Sequence, residues 1–219
     1  MWFIYGSCRP QALHPKVILN RVSCRSYVFF LLSAVTTVNT AMGLSTCSTY
    51  SLEDVARESP DTVKFFQIPF FSDRQLMETL IKRAEKAGYK AVLLTVDMPR
   101  FSKHKERASF ALPSHLKYAN FLSFQKTKGF NNSQLDACLG TMIDSSVDWG
   151  AFDWLKSITP LPIIVKGILT AEDARLAVQR GAQGILVSNH GGRKLDGSQA
   201  TVRVMTLGVF VASSSYNYI

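Results

Sequence analysis

The chain has 219 residues, of which 47% are apolar and 19% are charged, so it can bury one sizeable core and is not a chain that is disordered over most of its length. Its formal net charge of +9 is spread along the sequence, and the longest basic cluster is Lys103–Arg107. Because no aromatic residues alternate with basic ones, this distribution favours small anionic ligands and argues against a nucleic-acid partner.

The N-terminal part, residues 1–39, matches no recognised pattern and contains a short apolar run at Tyr27–Val38. The run is too short for a comfortable membrane span, and no clean signal-peptidase site follows it. A buried N-terminal segment is the simpler interpretation, and a signal or membrane anchor is the alternative. The four cysteines show no metal-ligand spacing, so we expect reduced thiols and no metal site.

Strands and helices alternate along the rest of the chain. Five apolar segments have the length and β-branched content of strands. They are "MGLSTC", "VKFFQI", "YKAVLLTVD", "PIIV" and the run before His190. The predicted helix caps are Ser51 with Asp54, Ser72, and Thr170 with Asp173, and the predicted helix stops are Gly88 and Gly181. A helix is predicted at Trp149–Ile158, after a long Met98–Asp148 connection that is typical of a functional lid or a disordered segment.

Polar side chains recur at one place in these units, namely the carboxyl end of each strand. They are Gln67, Thr95, Asp97, Lys166, Ser188 and His190. A doubly wound open sheet concentrates its site at one switch point, whereas a (β/α)₈ barrel collects residues from many strand ends. The sequence therefore predicts an α/β fold of the TIM-barrel type with about five βα units.

Each of these residues also has a purely structural interpretation. Thr95 could be an ordinary strand residue, and Gln67 could cap a backbone group. Lys166 is harder to explain in this way, because a lysine at the end of a buried strand needs an anion to offset its desolvation. His190 is followed by two glycines that allow close backbone approach and by Arg193, whose guanidinium suits a carboxylate.

These segments together resemble one known family. "SNHGGRKLDG", "LPIIVKGILTAEDA", "LLTVDMP", "VKFFQI" and "LSTCSTYSLEDVA" are similar, in order and spacing, to segments of the FMN-dependent α-hydroxy-acid oxidases such as glycolate oxidase. The resemblance covers residues 40–203, and residues 204–219 form a divergent tail. It implies FMN as cofactor and oxidation of a small (S)-2-hydroxy acid to a 2-oxo acid, with dioxygen reduced to hydrogen peroxide.

The resemblance also implies roles for individual residues. His190 would be the catalytic base, Asp97 would stabilise its protonated ring, and Arg193 would bind the substrate carboxylate. Five residues would contact the flavin: Lys166 near its pyrimidine edge, and Ser45, Gln67, Thr95 and Ser188 by hydrogen bonds.

This chain departs from the family pattern at two substrate-binding positions. Pro69 stands where the family has a tyrosine, and His104 stands where it has an arginine, although Lys103 and Lys105 keep the local charge. Each change should weaken substrate binding by about 1–3 kcal/mol if a charge-assisted hydrogen bond is lost.

Three functional hypotheses follow from the extent of the resemblance. The first barrel strands of the family have no counterpart before Thr40, and the match fades in the tail, so the barrel is expected to be incomplete. The chain could be a working oxidase, a truncated inactive isoform without FMN, or a non-catalytic module attached to a membrane or partner. The family further implies a peroxisomal location and a possible homo-oligomer, but the C-terminal "NYI" is not a signal of the "SKL" type.

Overall fold

One parallel sheet organises the computed structural model, which describes residues 3–6, 32–98 and 115–204. Within these ranges the sheet has six strands that lie side by side in chain order. They are β1 Phe3–Gly6, β2 Ala41–Ser45, β3 Val63–Pro69, β4 Ala91–Thr95, β5 Ile163–Ile168 and β6 Gly184–Val187. A doubly wound sheet reverses its strand order, so the unbroken order is that of a barrel wall.

The five predicted strands are all present, and β1 is an additional one. It pairs in parallel with β2, with Phe3 opposite Ala41. The expectation that no barrel strand precedes Thr40 is therefore wrong for this segment. The sequence did not predict β1 because a segment of four residues is too short to show a periodic pattern and contains no motif of the family.

Helices connect the strands. They are α1 at residues 32–37, α2 Leu52–Glu58, α3 Arg74–Lys86, α4 Leu122–Lys128, α5 Asn132–Thr141, α6 Trp149–Ile158, α7 Ala171–Gln179 and α8 Thr201–Val204, with 3₁₀ turns at Ala119–Phe121 and His190–Gly192. Two of them, α4 and α5, lie in the connection that was predicted to be a lid or disordered, so the second half of that connection is regular structure. Among the described residues no helix combines the length and the hydropathy that a membrane span requires.

Two of the three predicted caps are observed. Ser51 accepts a hydrogen bond from the Asp54 amide at 3.0 Å, and Thr170 accepts one from the Asp173 amide at 3.1 Å. Helix α3 instead begins at Asp73, whose side chain accepts from the Leu76 amide. The predicted cap Ser72 is wrong: its hydroxyl and its backbone amide both donate to the Met142 carbonyl in the long connection, at 3.2 and 2.8 Å.

The sheet has an outer apolar face against the helices and an inner face with a smaller apolar cluster. The outer face carries Met42, Leu44, Phe66, Ile68, Val92, Leu94, Ile163 and Val165, all buried. The inner cluster consists of Ala41, Phe65, Ala91 and Leu93, with partly buried Ile164 against it. Above this cluster, at the carboxyl ends of the strands, the inner face becomes polar.

Burial changes across the sheet. Every residue of β2 and β4 is buried, whereas every residue of β6 is only half-buried. The polar strand ends are therefore enclosed on the β2 side and more accessible on the β6 side.

Candidate active site

Three uncharged polar side chains form what we call the neutral row: Ser45, Gln67 and Thr95, at the carboxyl ends of β2, β3 and β4. All three are buried. Ser45 lies opposite Gln67 in the strand register, and the Gln67 amide Nε2 donates to Thr95 Oγ1 at 2.8 Å. The hydrogen bond satisfies polar groups that would otherwise be costly to bury.

The backbone of the neutral row is held by residues that the sequence analysis did not identify. Both the amide and the hydroxyl of Thr46 donate to the Gln67 carbonyl oxygen. The Thr46 carbonyl in turn accepts from the side-chain amide of buried Asn120 at 3.1 Å. Asn120 is 74 positions away in the long connection, so no local pattern could have indicated it.

A second group, which we call the charged cluster, consists of Asp97, Lys166 and His190. The Asp97 carboxylate lies between the two bases, 2.7 Å from His190 Nδ1 and 3.1 Å from Lys166 Nζ. Lys166 Nζ is 3.5 Å from the same ring nitrogen. The side chains of Asp97 and Lys166 are 7% exposed and that of His190 is 14% exposed, so these charges meet largely out of water.

Burial is the largest influence on the pKa of each member of the charged cluster. It lowers the pKa of Lys166, and Asp97 offsets this only in part. It also lowers the pKa of His190 below 6.5, against the opposing effect of Asp97. Burial alone would raise the pKa of Asp97, but the hydrogen bond from His190 and the charge of Lys166 outweigh it and hold that pKa below 3.8. At neutral pH the cluster thus contains a carboxylate and a neutral imidazole.

The turn after β6 directs the His190 ring towards Asp97. His190, Gly191 and Gly192 have φ of +58°, +68° and +71°, the left-handed region that favours glycine. Ser188 Oγ accepts from the His190 amide at 3.0 Å, and the Asn189 side chain accepts from the Gly192 amide at 3.1 Å. These bonds stabilise a conformation that is unusual for a histidine.

The remaining candidate residues lie around the charged cluster. Arg193 is exposed, and its Nε donates to the His190 carbonyl at 3.1 Å. Pro69 is buried opposite Thr95 in the register. The predicted substrate contact His104 lies outside the described residues.

Comparison with known proteins identifies the family of this site. The family profile described as "FMN-dependent dehydrogenase" matches residues 21–212. The chain belongs to this family. It is 46% identical over 173 residues to glycolate oxidase 3 of Arabidopsis thaliana, covering 77% of this chain and 47% of that protein. It is 44% identical over 176 residues to glycolate oxidase of Spinacia oleracea, covering 78% and 47%.

Solved structures give the same result for the fold. A crystal structure of mandelate oxidase superimposes with a TM-score of 0.68 at 31% identity, covering 85% of this chain and 51% of that one. A mandelate oxidase variant with a C4a-OH-FMN adduct gives 0.69 at 31% identity, covering 85% and 50%. This member of the FMN-dependent dehydrogenase family therefore has the wall of a TIM-type barrel, and it spans about half the length of the curated relatives it matches.

Proposed function

We propose that the chain binds FMN and takes part in the oxidation of a small (S)-2-hydroxy acid to the 2-oxo acid, with dioxygen reduced to hydrogen peroxide. The observation that carries the proposal is the charged cluster beside the neutral row, all at the carboxyl ends of adjacent parallel strands. Charged and neutral polar groups gathered at strand ends are what a barrel enzyme uses to hold a ligand and act on it.

The donor set fits a flavin ring. The pyrimidine part of the ring presents carbonyl oxygens and an N–H group, and Gln67, Thr95 and Ser45 offer amide and hydroxyl partners for both. Lys166 is a buried ammonium group, which suits a ring that becomes anionic on reduction. Ser188 is a further candidate flavin contact, although its hydroxyl oxygen accepts from the His190 amide.

The bound FMN would supply the two-electron acceptor, and the residues of this chain would handle the proton. His190 is neutral at pH 7, because burial lowers the pKa of its ring, so it can accept a proton from the substrate. Since Nδ1 is hydrogen-bonded to Asp97, the substrate proton would go to the other ring nitrogen, Nε2. The Asp97 carboxylate, 2.7 Å from the ring, then stabilises the imidazolium.

Arg193 is proposed to bind the substrate carboxylate. Its guanidinium is exposed next to His190, and its planar fork can form two parallel hydrogen bonds to a carboxylate. His104 is proposed as a weaker substrate contact in place of the family arginine. A peroxisomal location and assembly into a homo-oligomer are proposed from the family resemblance.

Binding of FMN can be tested directly with the purified chain. We expect fluorescence quenching to show saturable binding at micromolar FMN, and Lys166→Met to weaken it by about tenfold or more. A suitable control is Lys64→Met, because Lys64 is also a buried lysine but lies at the opposite end of β3, bonded to backbone carbonyls of Ser59 and Thr62. The Lys64 variant should bind FMN like the parent chain.

A second hypothesis is that the chain has the family site but does not retain FMN. The half-buried β6 favours it, because a strand that is only partly buried positions the residues that follow it, Ser188 and His190, less firmly. No binding up to about millimolar FMN, in a sample that is folded by circular dichroism, would support this hypothesis against the first. Equal loss of binding in both lysine variants would show that Lys166 has no specific role.

A further inference from the structure

Gly167 interrupts β5 directly after Lys166. Its φ of +118° is a backbone conformation that L side chains rarely adopt. The pairing of β5 with β6 is irregular between Lys166 and Ile168, where the register shifts. Such an irregularity in a strand next to a site re-aims the neighbouring side chains.

The space that a side chain would occupy at this glycine is taken by Asp97. A Cβ at Gly167 would lie 2.6 Å from Asp97 Cβ, 2.7 Å from its backbone nitrogen and 2.9 Å from Cγ. Non-bonded carbon atoms prefer separations of about 3.5–4.0 Å, so these distances are far too short. Asp97 and β5 can be this close only because residue 167 has no side chain.

The backbone leaves Asp97 little room to move away. The amide of Val96, the residue before it, donates to the Lys166 carbonyl at 2.9 Å. The Asp97 carboxylate contacts Lys166 on β5 and His190 on the turn after β6. A shift of Asp97 by several tenths of an ångström would change both contacts.

We propose that Gly167 is a positioning residue, which allows the Asp97 carboxylate to lie against β5 and to hold Lys166 and His190 together. It does not contact a reacting group itself; it acts through Asp97. Its importance for catalysis rests on the proposed function, whereas its effect on the His190 ring is a property of the chain alone.

The test is an NMR titration of the His190 ring in the full chain without added FMN. With ¹⁵N-labelled histidine, the signal is assigned by its loss in His190→Gln, since the chain has four histidines. The charged groups that act on His190 are Asp97 from the end of β4, Lys166 from β5 and Lys194 from its own turn. Asp97 alone raises the pKa of the ring, so displacing it in Gly167→Ala should move the titration to lower pH and weaken the downfield signal of the Nδ1 proton.

Gly88→Ala is the matched control. Gly88 also has a positive φ, +80°, but in the described part of the chain no atom beyond its two chain neighbours lies within 4 Å of the position its Cβ would take. Gly88→Ala should cost backbone strain without a steric clash and leave the His190 titration unchanged. A folded Gly167→Ala chain that titrates like the parent would overturn the proposal. Because no flavin is involved, failure of FMN binding would count against the proposed function only.

A second variant keeps the proposal testable if Gly167→Ala does not fold. Asp97→Gly removes two of the three atoms that the new methyl group would meet, Cβ and Cγ, and leaves only the backbone nitrogen at 2.7 Å. If Asp97→Gly/Gly167→Ala folds where Gly167→Ala does not, the contact with Asp97 is the cause, as proposed. If the double variant is unfolded although Asp97→Gly is folded, backbone strain at residue 167 or its contact with the backbone nitrogen of residue 97 is the cause, the Asp97 side chain is not, and the proposal fails.

Discussion

The neutral row and the charged cluster lie side by side on the same sheet but are held in different ways. Residues of the neutral row lie at or near the carboxyl ends of strands β2 to β4. Almost every residue of these strands is buried, and the hydrogen bond between Gln67 and Thr95 joins uncharged groups. The charged cluster joins the end of β4 to β5 and to the turn after the half-buried β6, and its members are held by hydrogen bonds to the charged Asp97 carboxylate.

The difference lies in the kind of group that each region buries. Neutral groups in hydrogen bonds can be buried fully at little cost, and they keep a fixed position. Ionisable groups need partners and some access, and their mutual contacts make their pKa values respond to one another. Under the proposed function, the first kind of group would bind the flavin and the second would take a proton from the substrate.

The largest expected effect is the loss of the carboxylate from the charged cluster. Asp97→Ala leaves Lys166 and His190 without the anion between them, and breaking a buried ion pair in this way costs about 3–5 kcal/mol of unfolding free energy. Urea unfolding followed by circular dichroism measures it. The control is Asp153→Ala, which breaks a surface ion pair with Arg180. The Arg180 side chain is 44% exposed and that of Asp153 is 50% exposed, so this variant should cost less than about 1 kcal/mol. Equal losses would mean that the charged cluster contributes no more than a surface pair.

A smaller effect is expected in the neutral row. Gln67→Leu and Thr95→Val should each cost about 1–2 kcal/mol, because each leaves a buried polar group without the 2.8 Å bond between them. The double variant should cost less than the sum of the two, since the second change removes the group that lost this hydrogen bond in the first. Strictly additive losses in urea unfolding would show that this hydrogen bond does not stabilise the row.

The smallest effect is the pH dependence contributed by His190. Its pKa in the folded chain lies below 6.5, so the unfolded chain binds the proton more tightly. The stability contribution is therefore complete above pH 6.5 and decreases as the pH falls through that value, by at most about 1.4 kcal/mol per pH unit. His190→Gln should remove this part of the slope below about pH 6.5. An unchanged slope would mean that groups other than His190 cause it.

Much of the fold was predictable because its signals are local. Strand composition and the capping side chains of Ser51 and Thr170 depend on a few neighbouring residues, and the polar strand ends repeat in each unit. The cap at Asp73 was missed because Ser72, an equally good capping residue, is held by Met142 from 70 positions away. Only the folded chain decides between two such neighbours.

The site was predictable in its members more than in its contacts. That Lys166 needs an anion follows from burial, but that Asp97 provides it depends on the register of β4 against β5. The importance of Gly167 could not be predicted, because a glycine in a strand is compatible with a bulge, a close approach or neither. Asn120 was missed because a buried amide far along the chain has no periodic signal.

The strictly sequential strand order has a consequence for how the chain folds. Gln67 and Thr95 are 28 positions apart and Lys166 and His190 are 24 apart, but Lys166 and Asp97 are separated by 69. Closing a loop costs about 0.6 kcal/mol more for each doubling of its length, and distant pairings form more slowly. During synthesis β1 to β4 can pair as they emerge, whereas β5 must wait for the long connection. The neutral row is therefore expected to assemble early, and formation of the Asp97 contacts marks the completion of folding.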